Sequence, residues 1–414
     1  MSRSHLVMVA SAALLVLLYG PLGAQDTVRV PDTPLCDDCL DLEVVLSFGN
    51  ADDEGALLTR YPAITQLPDG RWVVFEASVG GTIRIYNPDG SFQRAVEARG
   101  EGPGEYRGLS RILPSQNEGY VLYDVGNARL SYVASDFSFR SSNRFIQVTR
   151  IEALSDGSFV ANAMLPRAAA QGHVVSVVDS SGSVRVSFGG SGRPIDLREG
   201  PHVRHRVIAA DHDDNVWTGY MEKYELEKYS ADGRLLLKVS RVARWFLPHT
   251  ETRPPRDITS DPPNPKLREL SADDDGRLWA VVWVADPDWK EGIPPGFDPT
   301  TLYDNDKIYD TILELIDPAS GRVLARTRSG YALRKVHTVG PGFGEPLYFR
   351  TIQQDDGFIR ADILRPVHRV TMSSRSRRAA AVTRRPRRVR SYLYVPQTFF
   401  TSPCMRSLFT RRES

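Results

Sequence analysis

Three groups of residues have types and spacings that chemistry uses. Cys36-Asp37-Asp38-Cys39 is a CxxC. A zinc site needs about four ligands, and no second CxxC or HxxH pair stands at finger spacing. A thioredoxin-like site wants a βαβ context, and Asp37 and Asp38 would raise the thiol pKa rather than lower it. A small local disulfide or two unpaired thiols remain, and we expect the disulfide. Asp211, Asp213 and Asn215 with Glu222 put oxygens at positions 1, 3, 5 and 12 of a calcium-loop spacing. Val216 stands where such a loop needs Gly, so a tight hairpin is the expectation. His202, His205 and His212 make a weak metal triad, because HxxH on a strand points to opposite faces. No GxSxG, HExxH, Walker loop or GxGxxG preceding a helix is present. We expect no cofactor and no bound metal.

The third group is basic, and it stands out only against the elements that carry it. Apolar runs rich in β-branched and aromatic residues, such as Arg71-Trp72-Val73-Val74-Phe75-Glu76 and Thr82-Ile83-Arg84-Ile85-Tyr86, alternate with Asp-Gly and Ser-Gly turns. No amphipathic helix of useful length interrupts them. The chain is all-β. The unit of strand, turn, strand, strand, turn, strand recurs over 63–97, 110–140, 149–188, 206–239, 267–326 and 334–366, at a loose period near propeller-blade length. Six such units predict a six-bladed β-propeller, whose closure leaves few edges exposed. The sixth unit is short, and the stray strand 42–48 (LEVVLSF) is expected to complete it and clasp the ring.

In a propeller, the links between blades lie on the face around the central channel. Here they end in Arg60-Tyr61, Tyr106-Arg107 with Arg111, Arg150, Arg204-His205-Arg206, Lys266 with Arg268, and Arg334-Lys335. Converging guanidinium groups between low-dielectric walls attract carboxylate, phosphate or sulfate. Arg60, Tyr61, Glu105, Tyr106, Arg107, Arg111, Arg150, Arg206, Arg268 and Arg334 are therefore the candidate ligand-binding residues at the channel mouth. The competing reading makes these arginines structural links paired to neighbours such as Glu105.

The segment Gly100-Glu101-Gly102-Pro103-Gly104-Glu105-Tyr106 resembles the GxGPGE-aromatic segment of exported bacterial six-bladed propellers, relatives of the NHL-repeat and TolB-like propellers. The CxxC followed by LEVVLSF and the turn from Asp52 to Gly55 resembles the lead of such chains. The resemblance covers roughly residues 36–365 and implies a fold rather than an activity.

Composition sets the remaining bounds. The net charge of +1 averages two unlike regions: residues 366–414 hold 12 Arg, no Lys and one acid, so the rest is net −10. That tail reads as a disordered extension or as sequence out of frame; a polybasic arm is the functional alternative. At the other end, Arg3 and His5 precede an apolar run over 6–18 and small residues before Gln25, the pattern of a signal peptide over 1–24. The expected organisation is a signal peptide at 1–24, a lead segment with the CxxC at 25–41, the propeller at 42–366 and the basic tail at 367–414. The expected protein is secreted or periplasmic, monomeric, without a membrane span and without a nucleic-acid partner. It is expected to bind a small anionic ligand or a protein partner without catalysis. The alternative is a metal-dependent lactonase-like hydrolase or lyase with its site on the propeller axis.

Overall fold

The computed structural model describes residues 27–49, 56–59, 62–76, 81–190, 192–199, 203–250, 261–290, 308–339 and 345–369. The expected signal peptide, Arg60, Tyr61, His202, Cys404 and residues 370–414 lie outside these.

Six antiparallel sheets follow one another along the chain. Their innermost strands are Pro62–Gln66, Leu109–Pro114, Arg150–Ala153, Arg206–Ala210, Lys266–Ala272 and Arg334–Lys335, in blades 1 to 6. Three further strands step outward in each of blades 1 to 5, most of them joined by tight turns; the second and third strands are joined by a segment carrying the short helix Pro166–Ala170 in blade 3 and by residues 286–308 in blade 5. Local chemistry sets those turns. Asp89, Asp136, Asp156 and Asp179 each accept, at 2.9 Å, the backbone N–H of the serine two residues on, and its hydroxyl as well. An Asx side chain that closes its own loop fixes where one strand stops and the next begins.

The sixth blade is built from both ends of the described chain. Leu40–Phe48 lies antiparallel to Ile359–His368, with Phe48 opposite Ala361 and Leu40 opposite His368. This N-terminal strand is the outermost strand of the last blade and closes the ring, as its sequence predicted. A second closure sits on the axis. His337–Thr338, just beyond the inner strand of blade 6, runs parallel to the inner strand of blade 1. Blade-to-blade packing then holds the ring, with an apolar cluster at each junction. Val207, Trp217 and Leu267 are buried between blades 4 and 5, and Phe48, Trp72 and Phe349 between blades 6 and 1.

The lead segment is part of the architecture. Thr27–Val30 adds a parallel fifth strand to Leu235–Arg241 of blade 4, and Cys36–Asp37 does the same to Arg322–Ser329 of blade 5. Cys36 and Cys39 are joined in a disulfide just before the closing strand. The lead thus covers the outer edges of blades 4 and 5 in succession before it enters blade 6, which removes two exposed edges.

Candidate functional site: the basic channel mouth

Five of the expected arginines open inner strands or stand within two residues of an opening: Arg111, Arg150, Arg206, Arg268 and Arg334. Sheet geometry brings side chains at such positions toward the axis. Arg150 spans the channel to blade 5. Its Nη1 donates to both oxygens of Glu269 at 3.0 Å, and its Nη2 donates to the carbonyl of Arg268 at 2.9 Å. The register against Leu278–Ala285 slips between Leu267 and Glu269. This bulge at Arg268 breaks strict alternation, so that Arg268 and Glu269 both take part in the axial cluster. Deeper in the bore, Arg111 stands 3.7 Å from Glu152 and in contact with the ring of His337. Burial, then the charges of Arg111 and Lys335, holds His337 well below its ordinary pKa, so its neutral ring accepts from Arg111. Arg111, Glu152, Lys335 and His337 line a small cavity of about 100 Å³ there.

Toward the linker face, positive charge outruns its compensation. Arg268 lies 4.4 Å from the Trp283 ring, with Arg334 5.8 Å from the same ring. The Nε of Arg268 is buried without a hydrogen-bond partner. Burial, and then the charge of Arg150, brings its pKa down to about 10, against the opposing pull of Glu269. Lys266 is buried 5.3 Å from the Tyr309 ring, and burial together with Arg268 lowers it to about 7. His205 falls to about 4 through burial and the charges of Arg204, Arg150, Arg206 and Arg268. In each case burial is the larger cause, and the neighbouring cations add to it.

One carboxyl on this face behaves in the opposite sense. Glu222 follows the second strand of blade 4, is 1% exposed, and meets no other residue's donor at hydrogen-bond distance on either carboxylate oxygen. Burial raises its pKa to about 7, although its own backbone N–H, and then Arg206, Lys266 and Lys223, pull the other way.

The remaining expected residues lie elsewhere. Glu105 folds back over its own loop and accepts the N–H of Gly102 at 2.8 Å. A Cβ on Gly100, whose φ is +152°, would collide with that carboxylate. Arg129, on the third strand of blade 2, holds the carbonyls of Glu101 at 3.0 Å, Gly102 at 2.9 Å and Glu105. Gly104 rests against Phe139 of the outermost strand. The GPGE segment is therefore a clamp on the outer half of blade 2, away from the axis. Tyr106 is buried between blades 1 and 2, and Arg107 is exposed and paired with Glu101 at 2.6 Å. For Glu105 and Arg107 the structural-link reading describes what the side chains do.

The calcium-loop and histidine spacings dissolve in the same way. Asp211 and Glu222 lie at opposite ends of Val216–Tyr220, and Asp211 accepts the N–H groups of Asp213 at 3.0 Å and Asn215 at 2.9 Å within a hairpin. His205 and His212 flank Arg206–Ala210 at its two ends. Among the described residues, no three His, Cys, Asp or Glu side chains are placed to share a metal ion.

Comparison with known proteins agrees with this geometry. Residues 56–158 match the family DUF5128, 6-bladed beta-propeller. The chain is a six-bladed β-propeller. A member of the DUF4221 family from Bacteroides vulgatus is similar to the propeller at 12% identity and a TM-score of 0.56, over 80% of this chain and 99% of that one. A protein from Bacteroides fragilis described as exported is similar at 11% identity and a TM-score of 0.52, over 83% of this chain and 99% of that one. No curated protein matches the sequence. At these identities the structural likeness speaks for the propeller fold alone. Among the described residues, no helix of the propeller is long and apolar enough to cross a membrane.

Proposed function

We propose that this propeller is an exported, non-catalytic binding protein that takes a small anion at the linker-face mouth of its channel. The anionic group would be a carboxylate, phosphate or sulfate, and Arg150, Arg268, Arg334 and Lys266 would face it. One observation carries the reading: half-buried Arg268 stands beside Arg150 and Arg334 with its enclosed Nε unpartnered. A buried donor left unmet costs roughly 1–3 kcal/mol, and more when the group is charged. An anion would meet the donor and restore the basicity of both Arg268 and Lys266. The same cations oppose a divalent metal on the axis, which the lactonase-like alternative requires. Export rests on the leader pattern of residues 1–24 and on likeness to a protein described as exported.

Thermal melting in sulfate, phosphate and citrate, against chloride at matched ionic strength, tests the proposal. The multivalent anions are expected to raise the melting temperature of the wild type by several degrees and that of Arg268→Met by none. Equal shifts in both proteins would remove Arg268 from the site, and no shift in either would end the reading.

A further inference from the structure

A second site lies at the far end of the channel from the linker-face mouth. The inner strands of blades 3, 4 and 5 end in Ala153, Ala210 and Ala272. Short side chains at these equivalent places leave the axis unfilled, and the space is the cavity of about 100 Å³. Its polar lining comes from Arg111, Glu152, Lys335, His337 and Thr338. Arg150, Lys266, Arg268 and Arg334 do not line it, so this site stands independently of the channel-mouth reading.

The charges around this cavity do not balance. Arg111 and Lys335 are cations, Glu152 is the one acid of the lining, and burial with the charges of Arg111 and Lys335 keeps His337 neutral. Arg111 is already engaged, since it touches the His337 ring and stands 3.7 Å from Glu152. Arg150 and Glu269 also act on it, but they close on each other at 3.0 Å and cancel. Asp211 and Asp273, which follow two of the alanines, are held at 2.8 Å by Lys228 and Arg277 of their own blades. The positive charge left over belongs to Lys335. Its ammonium has three N–H donors, and one of them reaches the Leu270 carbonyl at 3.3 Å. Among the described residues, no acid pairs with it.

An anion restores the balance, and Glu152 sets a second requirement. Its carboxylate accepts no hydrogen bond from the described residues, so it asks for a donor. An ammonium donor is disfavoured, because it would add a third cation beside Arg111 and Lys335. A neutral O–H adds no charge. Because Glu152 and Arg111 are adjacent, that hydroxyl must stand next to the ligand's own carboxylate.

We propose that this cavity binds a small α-hydroxy acid, with its carboxylate on Lys335 beside Arg111 and its hydroxyl donating to Glu152. Isothermal titration of the full chain with glycolate, acetate and glycine tests it, since these acids differ only in the group beside the carboxylate. Glycolate is expected to bind at least tenfold more tightly than either of the others. Lys335→Met should weaken glycolate at least tenfold, and Glu152→Met should erase the preference for glycolate over acetate. Arg268→Met, which alters the linker-face mouth alone, should leave glycolate binding intact. Lys335 and Glu152 are both half-buried, and either variant decides the matter if the other does not fold. No binding, equal binding of glycolate and acetate, tighter binding of glycine, or indifference to Lys335→Met would overturn the assignment. Loss of glycolate binding in Arg268→Met would move the acid to the linker-face mouth, ending this inference while leaving the channel-mouth reading intact.

Discussion

Two arginines with enclosed guanidinium nitrogens in this propeller have opposite surroundings. Arg241, at the end of the outer strand of blade 4, donates to Glu314 at 2.6 and 3.0 Å and to Asp32 at 3.1 Å. Arg326 joins the same network through Asp32 at 2.7 Å and Asp37 at 2.8 Å, and so ties the lead segment to blades 4 and 5. The pKa of Arg241 is raised despite its burial, through the hydrogen bond and charge of Glu314. Arg268 is half-buried with an enclosed Nε, its neighbours are Arg150 and Arg334 with Glu269 in opposition, and its pKa is lowered. Burial alone does not separate a structural arginine from a ligand-binding one. The local balance of charge does, because a completed network raises basicity and an incomplete one depresses it.

Substitution should break this comparison most sharply at Arg241. Arg241→Met leaves buried Glu314 with only the Tyr224 hydroxyl at 2.9 Å and Arg326 at 4.0 Å and is expected to cost about 3–5 kcal/mol in urea unfolding. Arg268→Met, in protein without ligand, is expected to be neutral or stabilising by the same measurement. Equal losses in the two variants would mean that both clusters are structural.

The next effect is on pH. The folded pKa of Glu222 lies above its ordinary value, so its contribution is complete below about pH 4.5 and is lost as pH rises through about 7. Lys266 is depressed, so its contribution is present above about pH 10.5 and is lost as pH falls through about 7. The two slopes give ligand-free protein a stability minimum near pH 7, with limbs on the order of 3 kcal/mol each. Chemical denaturation across that range should show Glu222→Gln flattening the acid limb and Lys266→Met the alkaline one. A stability maximum near neutrality would show that neither group is uncompensated.

Smaller effects belong to the outer clamp. Arg129→Ala releases three loop carbonyls and is expected to cost about 1–3 kcal/mol while leaving anion binding unchanged. Arg107→Ala removes an exposed pair with Glu101 and should leave stability within about 0.5 kcal/mol of wild type. A loss of anion binding in Arg107→Ala would return the GPGE loop to the channel mouth.

These contrasts show how far the sequence could be read. Blade boundaries were legible because each turn carries its own chemistry, as Asp89 and Asp156 show by accepting from Ser91 and Ser158. The clasping strand was legible from the seven largely apolar residues 42–48, with no partner nearby in sequence. Arginines opening inner strands were legible from blade spacing in blades 3, 4 and 6. Other features depend on tertiary geometry that local patterning does not encode. Glu269 joins the axial cluster through a bulge at Arg268, which strict alternation does not anticipate. Glu222 stands in the sequence at position 12 of a calcium-loop spacing, and its burial comes only with the fold. The lead strands Thr27–Val30 and Cys36–Asp37 are too short to carry a periodic signal. Glu105 and Arg107 were drawn toward the axis by counting linker residues, whereas Arg129 and Phe139 hold that linker on the outside of blade 2.

The central question is whether the channel mouth is an incomplete charge network. Isothermal titration of phosphate into wild type and Arg268→Met, side by side at pH 7, measures this directly. Saturable binding to the wild type is expected, weakened at least tenfold in the variant, with Arg107→Ala matching wild type. Binding that survives in Arg268→Met, or none in the wild type, would contradict an anion site built on that arginine.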